Sequence, residues 1–286
     1  MKVLALFADP VVRAPLIGAM LMCLASSLIG VTAYLKKRSL VGEALSHASY
    51  PGVVLGMLLF SASPVGVLLF AALSSAVGIG VIRLIERRLR IPADAALCFV
   101  LATFLGVGIL IASRLQLTHA LLYRQVQGFL YGQVVTITDG GVALYASLAA
   151  VTVTALLLFF REIIASYFDP TFAEVAGIRV AHIERLTFAL LILAVVIGIR
   201  CVGVALMAAM LIAPPVAARQ YTNRPFLLFV IAGCVGLMSG FVGIVASLQG
   251  RVLPAGPMVV LAASAFAFFA LFFAPRRGLI ARTIRL

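Results

Sequence analysis

The sequence predicts an all-α bundle of transmembrane helices, with about nine spans in a single domain of residues 1–286. Three observations predict it. Hydrophobic residues make up 64% of the chain and charged residues 11%, with mean hydropathy +1.21, where a soluble domain carries about 25% charged residues. Several apolar runs reach about 20 residues, the length that crosses a bilayer as a helix. The basic residues gather at the ends of those runs, as the topology of multi-pass proteins requires. The short alternating segments of a β-barrel are missing from the pattern.

Nine apolar segments follow in order. Pro15–Leu35 is the first; the stretch before it, Val3–Ala8, is too short to read as a cleavable signal. Leu40–Phe60 is the second and holds the chain's most unusual residues. Val65–Ile85 ends in a basic cluster. Ala93–Ile111 opens with Asp94, suited to a helix N-terminus and alternatively to a pathway. The stretch Ser113–Asp139, with His119, Arg124, Gln125 and Gln133, reads as an outer loop with a short interfacial or re-entrant helix. Gly141–Phe160 is the fifth. The sixth and seventh, Leu186–Ile199 and Val202–Ala217, are short and closely joined at Arg200-Cys201. Phe226–Leu248 and Pro257–Phe273 complete the set.

Charge sets the orientation. Alternate connections hold Lys36, Lys37 and Arg38, then Arg83, Arg87, Arg88 and Arg90, then Arg161, Arg179 and Arg185, then Arg219 and Arg224, and finally Arg276, Arg277, Arg282 and Arg285. The other side keeps Lys2, Arg13, Arg114, Arg124, Arg200 and Arg251. The larger set marks the cytoplasm, so the N-terminus is expected outside and the C-terminus inside. This topological use of the +13 net charge leaves no reason to expect a nucleic-acid partner. Cys23, Cys98, Cys201 and Cys234 form no C-x-x-C and are expected to act as small packing residues.

Glu43 and His47 lie four residues apart in the second segment, on one face of a helix. A carboxylate at membrane depth costs about 2.5–3.5 kcal/mol or more, which marks it as functional. The pair reads as half of a divalent-metal site, as a proton relay, or as a buried hydrogen bond that holds the bundle. Beside it, Ala44, Ala48, Gly52 and Gly56 form a stripe that another helix can approach closely. Pro51 frees the carbonyl of His47. Pro214 and Pro215 likewise free those of Met210 and Leu211, giving a hinge or a pathway lining. His119 and His182 are isolated and read as ordinary solvated residues.

The connection Arg161–Arg185 is long enough for a docking helix. Asp169 suits an N-cap, Pro170 the first helical position and Gly177 the position after the helix, with Phe172, Val175 and Ala176 as an apolar side. An ATP-binding P-loop needs a lysine after glycine, and Lys2, Lys36 and Lys37 do not follow one. An ATP-driven reading therefore calls for a separate ATP-binding subunit, and the chain is not itself expected to be an enzyme.

Four blocks together resemble the integral-membrane permease of bacterial ABC importers for zinc, manganese or iron. Leu40–Ala48 through Pro51-Gly52 is similar to the family's G-D-A-L-S-H-A-x-x-P-G. Phe168-Asp169-Pro170 with Phe172-Ala173 and Gly177 resembles its cytoplasmic coupling loop. Val202-Gly203 with Ala208–Pro214 and Ala217-Ala218-Arg219 resembles its G-x-L-L-x-x-A-L-L-I-x-P-A-A-x-A-R block, and Pro254–Pro257 with Val259-Val260-Leu261 its P-x-G-P-x-I-V-L segment. The resemblance implies a dimer of this chain or of paired permeases around a central path. It also implies a cytoplasmic ATP-binding subunit on the Asp169–Gly177 loop, including Glu174, and an external metal-binding protein. The ion, zinc, manganese or iron(II), is cargo, with no permanently bound cofactor, and Glu43 and His47 match the positions it passes. Two departures stand out: Glu43 replaces the usual Asp, one methylene longer, and Arg251-Val252-Leu253 lacks the acidic residue common before the last P-x-G. A secondary transporter with Glu43/His47 as a proton or cation relay is the alternative, and a permease for a larger metal chelate a third.

Overall fold

The computed structural model of the protein describes residues 10–38, 40–60, 63–249 and 253–275. Lys2, Arg251, Val252 and the basic residues from Arg276 onward lie outside the described residues. Among the described residues twelve α-helices follow one another: α1 (Pro10–Leu35), α2 (Val41–Phe60), α3 (Pro64–Arg88), α4 (Ala93–Thr118), α5 (Ala120–Tyr131), α6 (Asp139–Leu158), α7 (Phe160–Phe168), α8 (Pro170–Val175), α9 (Val180–Val202), α10 (Val204–Tyr221), α11 (Pro225–Gln249) and α12 (Ala255–Phe273). Those of 18 residues or more coincide with the nine apolar segments. Among the described residues seven of them, α1, α3, α4, α6, α9, α11 and α12, are long and apolar enough to cross a membrane. The remaining two long helices, α2 and α10, are the ones that carry Glu43/His47 and Pro214-Pro215.

Several boundaries move outward. α1 reaches back to Pro10 with Pro15 inside it, α4 continues to Thr118, and α9 covers Val180–Val202. Helical hydrogen bonds are local and continue past the point where side chains turn polar. The apolar pattern marks the hydrocarbon-facing length alone. For the same reason the connection Arg161–Arg185 is helical over most of its length, built from α7, α8 and the first turns of α9.

Burial orders the helices. α1 packs against α6, α9, α10 and α11, whereas α2 packs against α3, α4, α9 and α10. α1 is apolar yet buries 72% of its membrane-crossing length, while α4 and α6 bury 28% each. The centre is therefore made of α1, α2 and α10, and the less buried helices, α4 and α6 among them, lie on the outside. Cys23 and Cys201 pack inside as expected, while Cys98 and Cys234 are exposed, and all four are free thiols.

Two close approaches fix this centre. The Ala44–Gly56 stripe is covered by α3 of the same chain: the Ala48 methyl faces Gly78, and Ser74 Oγ donates to the Ala48 carbonyl at 2.6 Å. A Cβ on Gly52 would lie 2.2 Å from the Phe70 carbonyl oxygen. On α10, the Leu211 carbonyl that Pro215 leaves without a helical donor points at Gly30 of α1, where a Cβ would lie 2.1 Å from that oxygen. The freed acceptor thus meets the backbone of the neighbouring helix.

These contacts predict that Gly52→Ala, which must push α3 away, lowers the stability of the detergent-solubilised protein by about 1–3 kcal/mol. Gly80→Ala on α3, where a Cβ meets nothing within 4 Å, should leave it unchanged or slightly raised. Thermal unfolding midpoints of the two variants check the contrast.

Candidate functional site

Glu43 lies in the first turn of α2 and His47 one turn further on. Every other residue from Val41 to Val54 is buried, and these two alone are half-exposed. The reason is the packing of their neighbours. The Ala48 and Gly52 side of α2 meets α3, while Gly42 meets the Leu211 side chain of α10. Tyr50, whose sequence position places it near the pair's face, turns to α4, with its ring against Gly108 and 2% exposure. What remains uncovered is a narrow strip with one carboxylate and one imidazole.

The two side chains are not hydrogen-bonded to each other, and His47 Nδ1 is buried without a partner. A bundle-stabilising Glu–His bond is therefore not formed. An imidazole ring with an unpartnered nitrogen and a carboxylate one helical turn away are donor types that suit a divalent transition metal. Among the described residues no third His, Cys, Asp or Glu completes a group of three with them. Pro51 is buried beside Gly108 of α4, and Pro214 and Pro215 are buried within α10.

The second predicted feature forms as its end signals require. Asp169 caps α8, its Oδ1 accepting from the Phe172 backbone N–H at 2.9 Å, with Pro170 at the first helical position. At the other end Gly177 takes φ 83°, its N–H donates to the Glu174 carbonyl at 3.0 Å, and the Ile178 N–H donates to Ala173 at 2.9 Å. This is a Schellman closure. Ala173 faces the protein, while Phe172 is 64% and Val175 85% exposed, with Glu174 and Ala176 also at the surface.

Behind α8 lies a cluster of charges whose sequence positions point only to topology. Lys36, in the connection that leads into α2, donates to Glu184 on α9. Its ammonium sits 5.6 Å from the Tyr167 ring of α7 and 5.3 Å from that of Phe188 on α9. Arg38 pairs with Glu86 of α3 at 3.0 Å, and the Arg83 guanidinium lies 4.9 Å from the Phe188 ring. Burial pulls Lys36 below the usual lysine range, and Glu184 beside it pulls part of the way back. The available signal was the scarcity of acid: with nine Asp and Glu in the chain, an acid near a basic connection has few alternative partners. Asp94 is an exposed first-turn residue of α4, as a dipole role requires. His119 and His182 are exposed, and Arg185 Nη2 is 3.3 Å from His182 Nε2.

The family model described as the ABC 3 transport family matches residues 8–274. The chain is 37% identical over 272 residues to the manganese transport system membrane protein MntC of Bacillus subtilis, with 95% of this chain covered but 62% of that protein's length. It is 37% identical over 276 residues to the zinc transport system membrane protein TroC of Treponema pallidum, covering 96% and 93% of the two chains. A probable iron transport system membrane protein of Haemophilus influenzae is 30% identical, with 91% of each chain covered. Among solved structures, PsaBC from Streptococcus pneumoniae in complex with Fab superposes with TM-score 0.84 at 24% identity, covering 98% of this chain and 96% of that one. That likeness shows the fold.

The cap geometry makes a separable prediction. Asp169→Ala should cost α8 about 1 kcal/mol, whereas Asp169→Asn, which caps as well, should cost little. Amide hydrogen exchange over residues 170–176 reads the difference.

Proposed function

The chain belongs to the ABC 3 transport family, and from that we propose that it is the membrane permease of an ATP-driven importer for zinc, manganese or iron(II). The observation that carries this reading is the strip on α2: Glu43 and His47 stay partly exposed where every neighbour is buried, and the buried His47 Nδ1 has no hydrogen-bond partner. Two ligands hold an ion loosely, as a carrier that must release it requires. We place the N-terminus outside and the C-terminus in the cytoplasm of a bacterial inner membrane, on the distribution of basic residues.

In the proposed cycle an external metal-binding protein delivers the ion to the outer face. The ion passes between this chain and a second permease copy or paralogue, whose facing residues complete the coordination of Glu43 and His47. A cytoplasmic ATP-binding subunit docks on α8 through Phe172 and Val175, with Asp169, Pro170, Glu174 and Gly177 holding that helix in shape. Its motion reaches α2 through the contact of Lys36 with Glu184 and Tyr167. Pro51 on α2 and Pro214-Pro215 on α10 are the points at which those helices flex. All these steps use the 1–286 domain, with 161–185 as its coupling segment.

His47→Ala should abolish uptake of radiolabelled zinc, manganese and iron while the complex with the ATP-binding subunit still co-purifies; normal uptake would overturn the site assignment. Uptake that persists without the ATP-binding subunit and follows a pH gradient would favour the secondary-transporter alternative. Phe172→Ala should weaken co-purification of that subunit or separate ATP hydrolysis from uptake, and unchanged coupling would remove α8 from the docking role.

A further inference from the structure

Between α6 and α11 runs a groove that the transport reading leaves unused. Both helices pack on α1, and they leave a cavity of about 240 Å³ above it. Leu24 and Leu28 of α1 form its floor, Leu156 and Leu157 of α6 one wall, and Val230 and Cys234 of α11 the other. One end is closed by aromatic rings: Phe160 meets Phe226 at 5.9 Å and Phe229 at 5.8 Å between centroids, both edge-on. Leu157, Phe226 and Val230 remain exposed on its rim. Because α6 and α11 are membrane-crossing helices, the groove opens toward lipid tails.

Its closed end is marked by charge. Arg161 directly follows Phe160, and Arg224 stands two residues before Phe226; both arginines are exposed and each lies within two residues of one of the rings that touch. Among the described residues neither forms an ion pair with an acid, Glu162 beside Arg161 included. An apolar slot at membrane depth, with two arginines free of acidic partners next in sequence to its closing rings, suits an acyl chain carrying an anionic head. Basic positions between membrane helices on the cytoplasmic side select such lipids.

We infer that the α6–α11 groove binds an anionic phospholipid, one acyl chain lying over Leu24 and Leu28 and the phosphate held by Arg161 and Arg224. The site is separate from Glu43/His47 and does not depend on which ion the chain carries.

The chain contains no tryptophan, which permits a direct test. Leu157→Trp on the rim supplies one reporter, and Leu110→Trp on the exposed face of α4 supplies the control. Each variant is reconstituted in phosphatidylcholine bilayers containing increasing fractions of phosphatidylglycerol or phosphatidylcholine with brominated acyl chains. At the groove, quenching should reach half its maximum at a fraction on the order of tenfold lower for the anionic lipid. The Arg161→Gln/Arg224→Gln variant should lose the preference, and the α4 control should show none. Equal quenching by both lipids, or a preference that survives removal of both arginines, would overturn the assignment. So would protection of the rim reporter that appears only at high protein-to-lipid ratio, which would mean that a second copy fills the groove. Inorganic phosphate that abolished the preference at millimolar concentration would reduce the site to a phosphate contact and also overturn it. A second measurement needs no tryptophan. Alkylation of Cys234 should be slower in anionic than in zwitterionic bilayers, while that of exposed Cys98 on α4 is the same in both, and equal Cys234 rates would count against the lipid.

Discussion

The structure depends on one constraint: hydrocarbon offers nothing to an unpaired polar group. α2 brings a carboxylate, an imidazole and a proline-freed carbonyl into the bundle, and α10 brings two prolines in succession. Neither can face lipid. Each is therefore placed inside a jacket of more apolar helices, and the rest of the architecture follows from enclosing them. α3 closes one side of α2 at backbone distance, and α1 takes up the Leu211 carbonyl at Gly30. The strip that stays open holds the two residues that the packing leaves without partners.

A second set of contacts ties the membrane-surface elements to that centre. α7, α8 and the start of α9 do not hang from the bundle as a loop. The Lys36 ammonium lies over the rings of both Tyr167 and Phe188 and is also bound by Glu184, and Lys36 lies five residues before the first residue of α2. A half-buried ammonium is costly unless carboxylate and ring faces replace its water. Breaking it from one side alone would leave a charge without compensation. The two halves of this contact are therefore held together, and a displacement of α7 has a short path to the helix that carries Glu43.

Much of this was legible in the sequence, for identifiable reasons. Helix positions follow from apolar runs whose length matches the bilayer, and the Asp169–Gly177 helix follows from end signals that act locally. The Glu43/His47 pair announces itself because its residue types are rare at that depth. Less legible was anything that depends on which helix meets which. The Ala44–Gly56 stripe advertises a close neighbour but not that the neighbour is α3. The freed Leu211 carbonyl does not reveal Gly30, 181 positions earlier. Lys36 and Arg38 are read as topological charges until Glu184 and Glu86 are seen beside them. Tyr50 shares the sequence neighbourhood of the pair yet turns away, because Gly108 makes room for its ring.

The short helix at Pro170–Val175 has a further consequence. Both of its ends are closed by its own chain, through the Asp169 carboxylate and the paired bonds at Gly177 and Ile178. A six-residue helix in isolation would be a fluctuating ensemble, yet here the shape exists before any partner arrives. A surface that meets Phe172 and Val175 need not order them first, so little of the contact energy is lost to conformational entropy. The affinity of any partner for so small a patch would then rest on its rigidity more than on its area.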